Sequence, residues 1–262
     1  MPPTRTSLLT ATALTAVLAG CGSSSTGPAA TAQGATSTLS GSITVFAAAS
    51  LTGSFTSLGR QFETAHPGTT VSFSFGASST LSQQITSGAP ADVFASASTK
   101  NMTDVVTAGD AVDPKTFATN VAVIAVAPAS AGKVMSLADL AKPGVKVALC
   151  QPEVPCGALA QKVLGNAKVA VSPVTQGLDV KAVLATVKSG EVDAGIVYVT
   201  DVEAAGSSVI GVNIPADVNA STAYPIAIVK TSKNTQLGQA FEDYVLSAEG
   251  RGVLGKAGFA RP

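Results

Sequence analysis

The sequence predicts an α/β fold. Short apolar runs of strand length recur through residues 42–262, and segments with helical spacing separate them. Two junctions, Ala47-Ala48-Ala49-Ser50 and Gly76-Ala77-Ser78-Ser79, lead through small residues directly from a strand pattern into a helix pattern. Repetition of that order implies a mostly parallel sheet with helices on both faces.

Ile43, Val45 and Phe46 make the first buried strand, and Phe55, Leu58 and Phe62 mark one apolar face of the helix after it. Ser50 stands where an N-cap belongs. Val71, Phe73 and Phe75 alternate with serines as a half-buried strand, and Ser78 and Ser79 repeat the arrangement of Ser50 before a helix carrying Leu81, Gln84 and Ile85. Residues 91–95 form a short strand. The apolar runs at 121–127 and 145–149 suit strands buried on both faces. Helices are predicted over 157–164 and over 179–188, the second with Val180, Val183, Leu184 and Val187 on one side. Strands follow at 194–199 and 223–229, and a last helix carries Leu237, Phe241, Val245 and Leu246.

The N-terminal segment reads as a processing signal. Arg5 precedes an apolar run from Leu8 to Ala19, 12 residues long, which suits a signal peptide and is too short to span a bilayer. The run ends in Leu18-Ala19-Gly20-Cys21, which resembles the lipobox of bacterial lipoproteins. That resemblance implies a signal peptide over 1–20, a lipidated Cys21, and an extracytoplasmic protein anchored to the cell membrane. Residues 21–41 are mainly Ser, Thr, Gly and Ala with Pro28, a flexible tether with a reach of about 25 Å.

Charge excludes some functions. Sixteen basic residues face sixteen acidic ones, and loss of Arg5 leaves 15 against 16. No bulk field recruits nucleic acid or an anionic membrane surface. The single histidine, His66, precedes Pro67 in a polar turn and reads as solvent-facing. No G-x-S-x-G elbow, phosphate loop or G-x-G-x-x-G fingerprint is present, which leaves a serine hydrolase without a base beside its nucleophile. No second His and no C-x-x-C spacing offers a metal site. With Cys21 lipidated, Cys150 and Cys156 remain, either as a disulfide, which an exported compartment favours, or as two thiols.

The chemistry that remains is anion binding. A serine at one strand–helix junction is an ordinary cap. Two helix N-termini at neighbouring junctions of a parallel sheet converge on one crevice, with free N–H groups and the positive ends of two helix dipoles. Gln151-Pro152-Glu153-Val154-Pro155-Cys156-Gly157 also follows a strand and opens a helix, and Asp179-Val180 lies at another helix start. Tyr198 ends an apolar strand, a place usually taken by a core tyrosine with a satisfied hydroxyl.

Together, Val45-Phe46-Ala47-Ala48-Ala49-Ser50-Leu51, Ser78-Ser79-Thr80-Leu81, Gly88-Ala89-Pro90-Ala91-Asp92-Val93-Phe94, Pro152-Glu153-Val154-Pro155-Cys156-Gly157 and Gly195-Ile196-Val197-Tyr198 resemble the substrate-binding proteins of molybdate ABC transporters. The resemblance runs in matching order from about residue 42 to the end. It implies a type II periplasmic-binding-protein fold, with two α/β lobes joined by two crossover segments and the ligand in the interlobe cleft. Lobe 1 would be 42–119 and 223–262, and lobe 2 would be 120–222. The implied oxyanion ligands are Ser50 and Ser78 by hydroxyl and N–H, Cys156 and Val180 by N–H, and Tyr198 by hydroxyl. Cys156 departs from the small Ala usual in the family. Molybdenum would enter only as molybdate, with tungstate a close analogue, with no direct protein ligand and no cofactor. The implied partner is a membrane permease, and the protein itself would be a monomer.

Chemistry agrees with that ligand class. Molybdate, tungstate and sulfate carry no proton near neutral pH, so a site for them needs donors and no carboxylate. All five residues can donate. Sulfate or another tetrahedral oxyanion is the alternative ligand. A carboxylate ligand would usually draw an Arg clamp, and residues 120–222 contain no Arg.

Overall fold

The computed structural model describes residues 39–262. The signal peptide, Cys21 and most of the tether lie outside the described residues. Among the described residues, no helix is long and apolar enough to cross a membrane.

The first sheet is built on β1 (Gly41–Ala48), which pairs in parallel with β2 (Thr69–Gly76) and with β3 (Val93–Ala95). Side chains alternate across β1, so each face feeds its own core. Val45 and Ala47 pack with Phe55, Leu58 and Phe62 of α1 (Thr52–Ala65), Phe241 of α7 (Thr235–Leu246) and Leu254 of α8 (Ala248–Lys256). Phe46 faces the other way, onto Leu81 and Ile85 of α2 (Ser78–Thr86) and Met102 and Val105 of α3 (Thr99–Thr107). Phe55, Leu58 and Phe62 are fully buried, as the helical spacing requires. His66 ends α1 half-buried, its ring 4.5 Å from that of Phe62.

Two long strands carry the chain out of this sheet and back. In β4 (Ala111–Val126), residues from Ala111 to Val121 pair with β9 (Ser221–Val229), and residues from Ala122 onward pair with β7 (Ala194–Tyr198) and β8 (Ile210–Asn213). Since β4 leaves and β9 returns, they run antiparallel, and β9 is also antiparallel to β3. The sheets are therefore mixed rather than mostly parallel. In the second sheet, β5 (Val147–Cys150) pairs in parallel with β6 (Thr175–Gly177) and with β7. It is covered by α4 (Pro155–Ala167), α5 (Val180–Lys188) and α6 (Val199–Ala205), around one core that includes Ile124, Val163, Val183 and Val187.

The fold is of the type II periplasmic-binding-protein class, two α/β halves with the chain passing between them through β4 and before β9. In both halves the carboxyl ends of the parallel strands face the junction, the usual place for a ligand in open α/β sheets.

Candidate functional site

A small cavity lies at that junction. The first half lines it with Ala48, Ala49, Ser50, Gly76, Ala77, Ser78 and Ala97, the second with Val154, Pro155, Cys156, Asp179, Val180 and Tyr198. All five residues singled out in the sequence thus come together, each at the end of a strand or the start of a helix. About 20 Å³ is open to the centre of a water-sized sphere, the scale of one or two waters, so a sugar or peptide does not fit.

The serines sit differently from the sequence expectation. Ser50 is not an N-cap: it lies in a 3-10 turn, Ala49–Leu51, and α1 begins after it. Its hydroxyl is 3.0 Å from the Tyr224 hydroxyl. When Tyr224 donates, Ser50 keeps its own proton for the cavity. Ser78 is the first residue of α2 rather than its cap, which is Ala77. Its Oγ accepts the Ala97 N–H at 2.9 Å, which again leaves the hydroxyl proton free. Both hydroxyls are held by partners far along the chain, and neither residue occupies the cap position of its helix.

Three helices begin at the cavity. The first N–H groups of a helix have no intrahelical acceptor. Thus α2 presents the Ser78 N–H, α4 the Cys156 N–H and α5 the Val180 N–H. Pro155 opens α4 and has no N–H, so Cys156 supplies its first donor. Cys156 is joined to Cys150 at the end of β5 by a disulfide, Sγ–Sγ 2.03 Å. Gly157 packs against the same turn, where an added Cβ would lie 1.8 Å from the Gln151 carbonyl oxygen.

Tyr198 carries the most informative atom. Its hydroxyl is fully buried and is the one buried side-chain polar atom among the described residues without a hydrogen-bond partner. Burial pushes its pKa well above the usual tyrosine value, with Tyr224 and Asp201 adding to the effect. Tyr198 is therefore a neutral hydroxyl facing the cavity, with the Tyr224 hydroxyl as its near neighbour but no hydrogen bond of good geometry. Leaving such a group unpaired costs about 1–3 kcal/mol, a feature expected of a site for a ligand.

No Lys or Arg lines the cavity. One carboxylate does, against expectation. Asp179 caps α5, and its Oδ1 accepts the Ala182 N–H at 2.9 Å, so the acid is engaged by its own helix. Tyr224 was missed in the sequence reading: nothing in the spacing around residue 224 links it to a serine 174 positions earlier.

Comparison with known proteins agrees with this picture. Residues 43–260 match the family described as bacterial extracellular solute-binding protein. The molybdate-binding protein ModA of Mycobacterium tuberculosis is 42% identical over 252 residues, covering 95% of each chain. Among solved structures, the periplasmic molybdate-binding protein of Azotobacter vinelandii superposes with a TM-score of 0.75 at 22% identity, covering 84% of this chain and 99% of that one. The sulfate-binding protein SubI of M. tuberculosis reaches 0.73 at 20% identity, covering 84% and 86%, so the shape alone does not choose the ion. At 42% identity over nearly its whole length, the chain belongs to the ModA family of bacterial extracellular solute-binding proteins, which bind and carry solutes rather than transform them.

Proposed function

We propose that this protein captures molybdate in the cavity between its two halves and delivers it to the permease of an ABC transporter. The observation that carries this reading is the buried, unpartnered Tyr198 hydroxyl, set among three helix N-termini in a cavity lined by no cation. Ser50, Ser78 and Tyr198 donate by hydroxyl, and Ser78, Cys156 and Val180 by N–H. Bonds to a charged acceptor contribute about 1.5–3 kcal/mol each, enough in sum to offset removing a dianion from water. Helix N-termini add to the attraction. Tungstate, with the same shape and charge, is the second ligand. Closure of the halves around the ion populates the form that docks on the membrane partner.

Cys21 lipidation would hold the protein, a monomer, on the outer face of the cell membrane, with the tether giving it reach. A Cys21→Ala variant is expected to appear in the culture medium; full retention on the membrane would count against the anchor.

Isothermal titration with molybdate, tungstate, sulfate and phosphate tests the ligand. Micromolar or tighter binding of the first two, about −8 kcal/mol or better, is expected. Phosphate retains a proton, and the one carboxylate at the cavity, Asp179, is already engaged by the Ala182 N–H of its own helix. Equal affinity for phosphate would overturn the reading.

A further inference from the structure

A buried ion pair lies just behind two of the cavity's donors. Lys181 Nζ donates to Asp201 Oδ1 at 2.8 Å, with the Asp201 side chain fully buried and that of Lys181 35% exposed. The other carboxylate oxygen, Oδ2, accepts the Tyr198 backbone N–H at 3.2 Å. Lys181 directly follows Val180, so one pair fastens the start of α5 to the turn that carries Tyr198. A second hold on that turn is the Thr200 Oγ1, which accepts from Asn120 Nδ2 of β4 at 2.9 Å. Neither Lys181 nor Asp201 lines the cavity; Lys181 faces an adjoining groove.

We propose that Lys181 and Asp201 are positioning residues of the oxyanion cavity: the pair ties the Val180 and Tyr198 donors into one unit, and its mutual neutralisation keeps unpaired charge away from the bound dianion. This rests on the oxyanion reading above. The groups that face Asp201 are Lys181 and Asp179 from the start of α5, Tyr198 from its own turn, and Tyr224 from β9. Burial pushes the Asp201 carboxyl up, and the Lys181 ammonium pulls it back down. Lys181 is thus the single cation in that set. Without it, Asp201 becomes an unpaired buried acid beside an incoming dianion, and it takes up a proton when the anion binds. Affinity then falls with rising pH, by up to about tenfold per unit, between the pKa of that acid in the free protein and its higher value beside the bound anion.

The test is isothermal titration of molybdate into the wild type, Lys181→Met and the double variant Lys181→Met/Asp201→Asn, between about pH 6.5 and 9, where tyrosines stay neutral. Wild-type affinity should be flat across the range. K181M should lose affinity on the order of 10–100-fold at the alkaline end and recover as pH falls. The double variant carries no unpaired acid and should be flat again, within about tenfold of the wild type. A K181M affinity that is unchanged, or lowered equally at every pH, overturns the proposal. So does a double variant that keeps the pH slope or loses more than about 100-fold, and this arm stands even where K181M does not fold. Wild type that binds no molybdate overturns the oxyanion reading and this one with it, whereas wild-type binding with a pH-flat K181M overturns this one alone.

Discussion

Tyr198→Phe separates binding from stability, because the two should move in opposite directions. In the ligand-free protein the Tyr198 hydroxyl is buried without a partner, so removing it relieves a desolvation cost of about 1–3 kcal/mol. The ring stays, and its edge contact with Tyr224, 6.2 Å between centroids, is kept. For a chain of this size each kcal/mol moves Tm by about 2–4 °C, so Y198F without ligand should melt at or above the wild-type temperature. With molybdate the sign reverses. The variant loses one charge-assisted bond of about 1.5–3 kcal/mol, which weakens Kd by roughly 10–150-fold. Thermal shift stabilisation by ligand follows RT ln(1 + [L]/Kd), so the gain in Tm on adding molybdate should shrink by the same free energy. Differential scanning calorimetry with and without molybdate, paired with titration calorimetry, reads both halves. A variant that binds within twofold of wild type, or whose ligand-free form is clearly destabilised, would refute the role given to this hydroxyl.

Three further outcomes follow from the same geometry. Gly157→Ala places a methyl 1.8 Å from the Gln151 carbonyl oxygen, so α4 must shift; denaturant unfolding should show a loss of about 1–3 kcal/mol, and molybdate affinity should fall because the Cys156 N–H moves with the helix. Reducing the Cys150–Cys156 disulfide frees a short loop, six residues in separation, and should lower stability by about 2 kcal/mol with a matching loosening of molybdate binding, measured with and without reductant. Tyr198 and Tyr224 both have pKa values raised by burial. The unfolded chain gives up these protons near pH 10 while the folded one keeps them, so stability is full below that pH and falls above it, by up to about 1.4 kcal/mol per pH unit for each tyrosine. Chemical denaturation between about pH 8 and 11 checks the sign.

Much of the architecture was legible because packing repeats locally. The spacing of Phe55, Leu58 and Phe62 and the strand through Val45 survive translation into structure, since each depends on near neighbours in sequence. The opening half of β4 was not. Asp113, Pro114 and Lys115 interrupt the apolar pattern between Val112 and Phe117, the register slips between Val112 and Lys115, and Asp113 takes a left-handed φ of 49°. Alternation is lost over that stretch, so only the apolar end after Asn120 reads as a strand. The same holds for α6, whose seven residues are too few for a helical period to stand out. At the site, small residues before helix starts mark Ser50 and Ser78, but the partners of those hydroxyls cannot be read locally. Tyr224 and Ala97 reach them through the fold, and neither Ser50 nor Ser78 occupies the cap position of α1 or α2. The Lys181–Asp201 pair is likewise invisible in spacing, since it joins two helices twenty positions apart.

A crystal structure with molybdate bound is the decisive experiment. A tetrahedral ion is expected in the cavity, with its oxygens within about 2.7–3.1 Å of the Tyr198 hydroxyl, the Ser50 and Ser78 donors and the N–H groups of Cys156 and Val180. An ion neutralised by a lysine or arginine, or seated away from Tyr198 with that hydroxyl still unpartnered, would contradict the oxyanion reading.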